Sequence, residues 1–163
     1  MSPWNPAGRL PVAAALVAVL AAPVLAREAR PASGDEAAVR AAVERFLDVL
    51  GKRDLDAVER LLAPNATIAV VRLRDGAWTT STQTAAEFLK GLRAQASPTP
   101  FREPLTGISV HVEQDQLAFL RADFTVVIDG QVRSHGVDYF TLAKTGGAWT
   151  ILNVSYTSLP GAP

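Results

Sequence analysis

The spacing of apolar residues changes along the chain, and each change marks a different kind of element. From Asp35 onward, apolar side chains recur every three or four residues in DEAAVRAAVERFLDVLGKRD, which predicts an amphipathic helix ending at Gly51. The segment DLDAVERLLAPN repeats this spacing and predicts a second helix that Pro64 ends. The pattern then becomes extended in ATIAVVRL and WTTST, two predicted strands joined by the turn RDGA.

A third helix and four further strands are predicted in the rest of the chain. TAAEFLKGLRAQA has helical spacing, and the prolines of SPTP end it. Tight-turn sequences QD, DG and KTGG then separate four extended segments. These segments are Leu105–Glu113, Gln116–Ile128, Gln131–Ala143 and Ala148–Thr157. Helices followed by an antiparallel meander predict an α+β domain, in which helices pack on one side of a curved sheet.

The predicted strand from Gln116 to Ile128 has different side chains on its two faces. Its even-numbered residues from Ala118 onward are all apolar, which predicts that this face belongs to the core. Its odd-numbered residues mix apolar side chains with Arg121 and Asp123. We therefore expect the second face to be exposed or to contact a partner.

The first 26 residues have the composition of an export signal. The cation Arg9 precedes LPVAAALVAVLAAPVLA, an apolar stretch whose small residues predict cleavage after Ala26. The stretch contains two prolines and is shorter than the ~20 apolar residues of a spanning helix, which favours a cleaved signal over a membrane anchor. We expect a periplasmic or extracellular protein that does not contact the membrane after cleavage. The predicted boundaries are 1–26 for the signal, 27–34 for a disordered tether, 35–158 for the domain and 159–163 for a tail.

Composition narrows the classes of partner and cofactor. With 163 residues, 48% of them hydrophobic, the chain fits one domain with one core. It contains no cysteine, so packing must stabilise the domain without disulfides. Its 16 basic and 16 acidic residues balance, which does not favour a nucleic-acid partner. His111 and His135 have no second ligand at metal-binding spacing, and His111 with Glu113 is interpreted as a solvated pair, so neither metal nor cofactor is expected.

The order of elements and two segments resemble the nuclear transport factor 2-like superfamily. VERFLDVLGKRDLDAVERLLAPNATI resembles the opening helices of its ketosteroid-isomerase-like and SnoaL-like branches, and SHGVDYFTLAKTGGAWTI resembles the closing hairpin of exported members. The resemblance extends from Asp35 to Thr157. It implies a cone-shaped fold with a cavity between three helices and the concave face of the sheet. The superfamily includes isomerases, dehydratases, hydrolases, ligand binders and interaction modules, so the resemblance alone leaves the activity open.

Asp138 is the main candidate for chemistry in this cavity. It has the same strand parity as Phe140, so the two side chains point the same way. An acid in an apolar cavity has a raised pKa and can donate a hydrogen bond or act as a general acid. The resemblance places Asp138 where ketosteroid isomerases keep a protonated acid, but places Val70 where they have the general base. No carboxylate lies between Glu59 and Asp75, which argues against that isomerase mechanism.

Two further side chains are expected at the cavity entrance. Arg72 follows Val70 on the same strand face, where its guanidinium could bind a ligand carboxylate or pair with an acid. The alternative is a rim arginine with a solvated head. Trp78 follows the turn and is expected to cap the pocket, whereas Trp149 alternates with Ile151 and is expected in the core.

Three functions are open at this level. The first is an exported domain that binds a small, largely apolar molecule without catalysis. Its predicted ligand site consists of Asp138, Phe140, Trp78, Arg72 and Val70. The second is an isomerase-like or dehydratase-like enzyme with Asp138 as the acid and an unidentified base. The third is a homodimeric interaction module that uses the mixed sheet face with Phe119, Arg121 and Tyr139. The first is favoured because Val70 occupies the expected position of the base.

Overall fold

The computed structural model describes residues 34–96 and 99–163, which contain three helices and six strands. The helices are α1 (Gly34–Gly51), α2 (Leu55–Leu61) and α3 (Ala85–Arg93). The strands are β1 (Leu62–Arg74), β2 (Ala77–Thr84), β3 (Leu105–Glu113), β4 (Leu117–Ile128), β5 (Gln131–Thr145) and β6 (Ala148–Pro160). The predicted signal at 1–26 and all of the predicted tether except residue 34 lie outside the described residues.

The helices begin and end through local chemistry. In α3, the Thr84 hydroxyl accepts from the Glu87 amide at 3.2 Å, and the Glu87 carboxylate accepts from the Thr84 amide at 2.8 Å, a reciprocal capping box. Asp54 caps α2 by accepting from the Ala57 amide at 3.0 Å. Asp35 lies in the first turn of α1, and its carboxylate accepts a hydrogen bond from Lys144 of β5 at 2.6 Å.

The six strands form one curved sheet in the order β2-β1-β6-β5-β4-β3. Strands β3 to β6 form the predicted antiparallel meander. The pairing of β1 with β6 is parallel, so the sheet is mixed. A parallel pair requires a long connection, which the intervening strands and α3 supply.

Two element boundaries differ from the prediction. The second helix ends at Leu61, and β1 begins before Pro64, because a proline favours an extended conformation in the residue that precedes it. At the other end of the chain, β6 continues to Pro160, which pairs with Ser134 of β5. The last strand therefore includes the first two residues of the predicted tail.

The core lies between the concave face of the sheet and the helices. The even-numbered face of β4 is buried from Ala118 to Phe124, as the alternation predicted. On the helix side, Phe46 of α1 meets Phe140 of β5 edge to face, with ring centroids 5.9 Å apart. Trp149 is also buried, as predicted. None of the three described helices is long and apolar enough to cross a membrane.

An extended segment at residues 99–104, the connector, links α3 to β3 across one side of the core. The Phe101 amide donates to the Gly51 carbonyl at 3.1 Å, and Arg102 forms an antiparallel bridge with Val127 of β4. Alternation along this segment leaves Arg102 exposed and turns Phe101 and Glu103 toward the interior. A Cβ at position 51 would overlap the Phe101 carbonyl, so only glycine lets the connector lie this close to α1.

Candidate functional site

A cavity of about 200 Å³ lies between the concave face of the sheet, α1, α3 and the connector. Its helix side is apolar. The side chains there are Phe46, Leu47 and Leu50 of α1 and Phe88 and Leu92 of α3. The polar lining comes from the sheet and the connector, so the cavity has an apolar wall facing a polar one.

Cross-strand pairing arranges the sheet side of the cavity in rows, because residues opposite each other on neighbouring strands point to the same face. The first row contains Ile68, Val154 and Phe140 and is apolar. The next row contains Tyr156 and Asp138.

A third row completes this wall. Arg72 of β1 pairs with Ser158 of β6, and both side chains line the cavity. Along the strands the lining therefore changes from aliphatic and aromatic groups, through an acid and a phenol, to a cation and a hydroxyl.

The buried carboxyl of Asp138 forms a pair with Glu103 of the connector. The Asp138 side chain lies within hydrogen-bonding range of the Glu103 carboxyl, and only 2% of the residue is exposed. Burial raises the pKa of Asp138 to about 7, although the hydrogen bond from Glu103 opposes this shift. Burial, followed by the charge and hydrogen bond of Asp138, raises the pKa of Glu103 well above its usual range. Glu103 therefore stays protonated at neutral pH, where Asp138 is partly ionised.

One oxygen of Asp138 is available to a bound molecule. Apart from the Glu103 carboxyl, Asp138 Oδ2 has no hydrogen-bond partner among the described residues. A buried acceptor without a donor carries a desolvation cost that a ligand N–H or O–H would offset. While Glu103 donates its proton to Asp138 in a hydrogen bond, the pair offers acceptor oxygens, and protonation of Asp138 below about pH 7 adds a donor.

Tyr156 supplies a neutral hydroxyl next to the acid pair. Burial raises the pKa of this phenol, the nearby Arg72 guanidinium opposes the shift, and the charges of Glu103 and Asp138 add to it. The ring packs edge to face on Phe124, with centroids 6.2 Å apart, which fixes its orientation. Its hydroxyl therefore stays protonated and can donate to a bound group.

The predicted ligand residues occupy different places. Asp138, Phe140 and Arg72 all line the cavity. Val70 lies in the row of Tyr156 and Asp138 but is not among the residues that line the cavity. Trp78 pairs with Leu73 at the outer edge of the sheet, is 55% exposed, and does not line the cavity either.

Glu103 was not predicted, because the connector has no periodic pattern from which a side-chain direction could be inferred. The sequence nonetheless indicates the direction of the Glu103 side chain. Phe101 and Leu105 flank Glu103 at alternate positions, so an extended connector that buries these two residues must also turn Glu103 inward. Glu103 also borders an outer groove of about 390 Å³ next to Glu44, Asp48 and Lys52 of α1. Glu103 therefore borders both the cavity and this outer groove.

The histidines lie away from the cavity. His111 Nε2 lies 2.8 Å from a Glu113 carboxylate oxygen in an exposed pair, as the sequence predicted. The other histidine, His135, has its Nδ1 atom 2.9 Å from the Gly161 carbonyl. Within residues 34–96 and 99–163, no group of three or more His, Cys, Asp or Glu side chains is arranged to hold a metal ion.

Several solved structures have this fold. One is a protein from Nostoc punctiforme PCC 73102 described as having a cystatin-like fold, with a TM-score of 0.60. It is 16% identical to this chain, and the match covers 78% of this chain and 92% of that chain. A nuclear transport factor 2-like protein from Novosphingobium aromaticivorans is 18% identical, with 76% and 80% covered and a TM-score of 0.60. A structure described as "Putative Scytalone Dehydratase", also from Novosphingobium aromaticivorans, is 11% identical, with 75% and 82% covered and a TM-score of 0.60. The TM-scores of 0.60 show that these proteins share the fold of this chain.

Comparison with curated proteins gives no match. A family model described as "Putative lumazine-binding" matches residues 34–157, which include all three helices and nearly the whole sheet. The chain therefore belongs to this lumazine-binding-like family, and its fold is that of the nuclear transport factor 2-like superfamily.

Proposed function

We propose that this protein binds a small, largely apolar molecule in the cavity and holds a polar group of that molecule at the Glu103–Asp138 pair. The observation that carries the proposal is the buried Asp138 Oδ2 atom, which lacks another partner among the described residues and belongs to a cavity with an apolar opposite wall. Apolar walls supply most of the binding free energy of small ligands, and a few polar groups fix their orientation. The family description, lumazine-binding, supports a small-molecule ligand.

The carboxyl pair defines the polar group of the ligand. The pair accepts hydrogen bonds from a ligand, and it also donates one when both carboxyls are protonated, below about pH 7. A matching ligand therefore presents an acceptor and a donor close together, as an amide, an enol or a fused heterocycle such as lumazine does. The Tyr156 hydroxyl provides a second donor beside the pair.

Thermal-shift measurements and calorimetry with wild type, Asp138→Asn and Glu103→Gln test this proposal. The probes are lumazine, small cyclic ketones and amides, and hydrocarbons of the same shape. We expect the polar probes to stabilise wild type more than the hydrocarbons do, and both variants to lose most of this difference. Asp129→Asn, in the exposed turn between β4 and β5, is the matched control. Equal responses from wild type and both cavity variants, or no response from wild type to any probe, would overturn the proposal.

A second candidate is acid–base catalysis of the isomerase or dehydratase type, favoured by the same carboxyl pair. Two carboxyls in contact whose environments give them different pKa values can serve as an acid and a base. Val70 lacks a carboxylate, but Glu103 of the connector contacts Asp138 and provides the second group. Proton exchange with solvent at the α-carbon of the ketone probes, followed by NMR in heavy water, tests this. Catalysed exchange that Asp138→Asn and Glu103→Gln both abolish supports catalysis; binding without exchange assigns the site to binding alone.

We also propose that the chain is exported through its first 26 residues. The support is the composition of that segment, with one cation before an apolar stretch that ends in small residues. Mass spectrometry of the protein secreted by a bacterial host should give a mature chain that starts at Arg27. A full-length chain retained in the cytoplasm would contradict export.

The sheet face opposite the cavity is proposed to mediate homodimer formation. Phe119 and Tyr139 lie exposed on this face, next to Arg121, whose charge is neutralised by Asp123 at 2.6 Å. Two copies of an apolar face with an internally paired charge can meet without repulsion. Light scattering of wild type and of the double variant Phe119→Ser/Tyr139→Ser should show a dimer and a monomer, respectively. A wild-type monomer at micromolar concentration would reject the dimer.

A further inference from the structure

The mouth of the cavity contains a second polar site. We propose that Arg72, Ser134 and Ser158 form a subsite for a carboxylate group, so that the ligand is a small monocarboxylic acid with an apolar body. This inference rests on the proposed binding function and specifies which class of molecule the cavity takes.

The three side chains come from three strands that lie side by side. Arg72 of β1 pairs with Ser158 of β6, while Ser134 lies further along β5 in the same direction from Asp138. All three line the cavity. Because β5 and β6 are antiparallel, the step from Tyr156 to Ser158 and the step from Asp138 toward Ser134 lead to the same end of the cavity.

Arg72 is a cation without an acidic partner in the described residues. Its guanidinium has no carboxylate within 4.0 Å, although it lies beside the Tyr156 hydroxyl. By contrast, Arg40, Arg93 and Arg121 each pair with an acid. Arg72 is also the only cation among the described residues that line the cavity. Its charge is therefore available to an anion that enters the mouth.

The hydroxyls of Ser134 and Ser158 are likewise available to bind an anion. Within the part of the chain that the structure describes, neither Ser134 nor Ser158 makes a side-chain hydrogen bond. A guanidinium binds a carboxylate through two parallel hydrogen bonds, and hydroxyl donors can fill the remaining lone pairs of the two oxygens. Arg72 with two serines is thus chemically complete for one carboxylate.

The neighbouring acids limit the charge of the ligand. Glu103 and Asp138 line the same cavity, so a dianion such as a phosphate monoester would face one cation and two acidic groups. A monocarboxylate carries only the charge that Arg72 balances. Its apolar body would lie toward the first sheet row, against Phe140 and the opposing Phe46.

Calorimetry with phenylpropanoate and phenylpropanamide tests the subsite, because the two probes have nearly the same shape and differ in charge. For wild type we expect the carboxylate to bind about tenfold tighter than the amide, the effect of a charge-assisted hydrogen bond. Arg72→Gln should bring the two affinities together, and Arg72→Lys should retain part of the preference. Arg74→Gln, an exposed residue of the same strand outside the cavity lining, is the control and should keep the full preference.

Three other results would contradict the carboxylate subsite. If wild type binds the amide, or the neutral probes used above, as tightly as the carboxylate, the subsite is overturned while binding in the cavity stands. If Arg72→Gln folds and keeps the carboxylate preference, the assignment of Arg72 is overturned. If no probe of either set binds wild type, the cavity function fails, and the subsite fails with it.

Discussion

The carboxyl groups of Glu103 and Asp138 meet in the cavity, although Glu103 belongs to the irregular connector and Asp138 to the centre of β5. Two acids in contact at a buried position are costly for folding unless one holds a proton. A cost of this kind is commonly retained where a site binds or transforms a molecule. The pair also determines how stability and binding depend on pH.

Asp138→Asn should make the protein more stable at high pH and leave it nearly unchanged at low pH. Burial raises the folded-state pKa of Asp138 from 3.8 to about 7, so the folded state binds more protons than the unfolded state between these values. Stability is therefore lost as pH rises through this window, by on the order of 4 kcal/mol at most. Asparagine does not ionise, so urea unfolding should show the variant gaining stability relative to wild type between about pH 4 and about pH 7, with a constant difference above that range.

Asp129→Asn is the control for this measurement, because Asp129 lies in an exposed turn and asparagine tolerates its positive φ of 51°. Its pH profile should parallel that of wild type. A parallel profile for Asp138→Asn as well would mean that Asp138 titrates normally in the folded protein, and would remove the basis for a shared proton.

Gly51→Ala should destabilise the protein by about 1–3 kcal/mol, the usual cost of overpacking. The added methyl group would overlap the Phe101 carbonyl, and the connector would have to move away from α1. Since Glu103 lies two residues further along the connector, the variant should also weaken binding of the polar probes. Chemical denaturation and calorimetry measure the two effects.

Gly91→Ala is the matched control, because position 91 lies within α3 and has open space around it. Alanine favours the helix by about 1 kcal/mol relative to glycine, so this variant should be more stable than wild type and bind the probes normally. Equal stability of Gly51→Ala and wild type would show that the connector can move without cost.

Arg53→Met should destabilise the packing of α3 against the turn between α1 and α2. The Arg53 guanidinium donates to the Leu92 carbonyl in the last turn of α3 at 2.7 Å, a favourable place for a cation. Methionine keeps the apolar stem but leaves this carbonyl without its charged donor, at a cost of about 1–3 kcal/mol. The adjacent Lys52→Met removes only an exposed pair with Asp48 and should cost much less. Similar unfolding midpoints for the two variants would refute this role of Arg53.

Features set by local patterns could be predicted from the sequence. Helical spacing identified α1, and alternation identified the buried face of β4 and the inward direction of Asp138. Features set by contacts between distant segments could not be predicted. The parallel pairing of β1 with β6 depends on how the whole sheet closes, and the contact of Glu103 with Asp138 depends on where the connector crosses the core. Trp78 illustrates the same limit, because its exposed position follows from the place of β2 at the sheet edge.

The affinity for the carboxylate probe should fall as pH rises through about 7. Ionisation of Asp138 adds negative charge to the cavity that also holds the bound anion, and Coulomb repulsion in a partly desolvated space is substantial. The other titratable or charged groups that line the cavity are Glu103 of the connector, Tyr156 of β6 and Arg72 of β1, whereas α1 and α3 contribute apolar side chains there. Glu103 and Tyr156 have raised pKa values and stay protonated in this range, so Asp138 dominates the change.

Calorimetry with phenylpropanoate between about pH 5.5 and about pH 8.5 measures this effect, because the probe itself remains ionised there. Wild type should lose affinity across the range, while Asp138→Asn should bind with nearly constant affinity. The neutral amide probe should show a much smaller change with wild type, since it carries no charge for Asp138 to repel. An affinity of wild type for the carboxylate that is constant or rises with pH would show that the anion binds away from the acid pair.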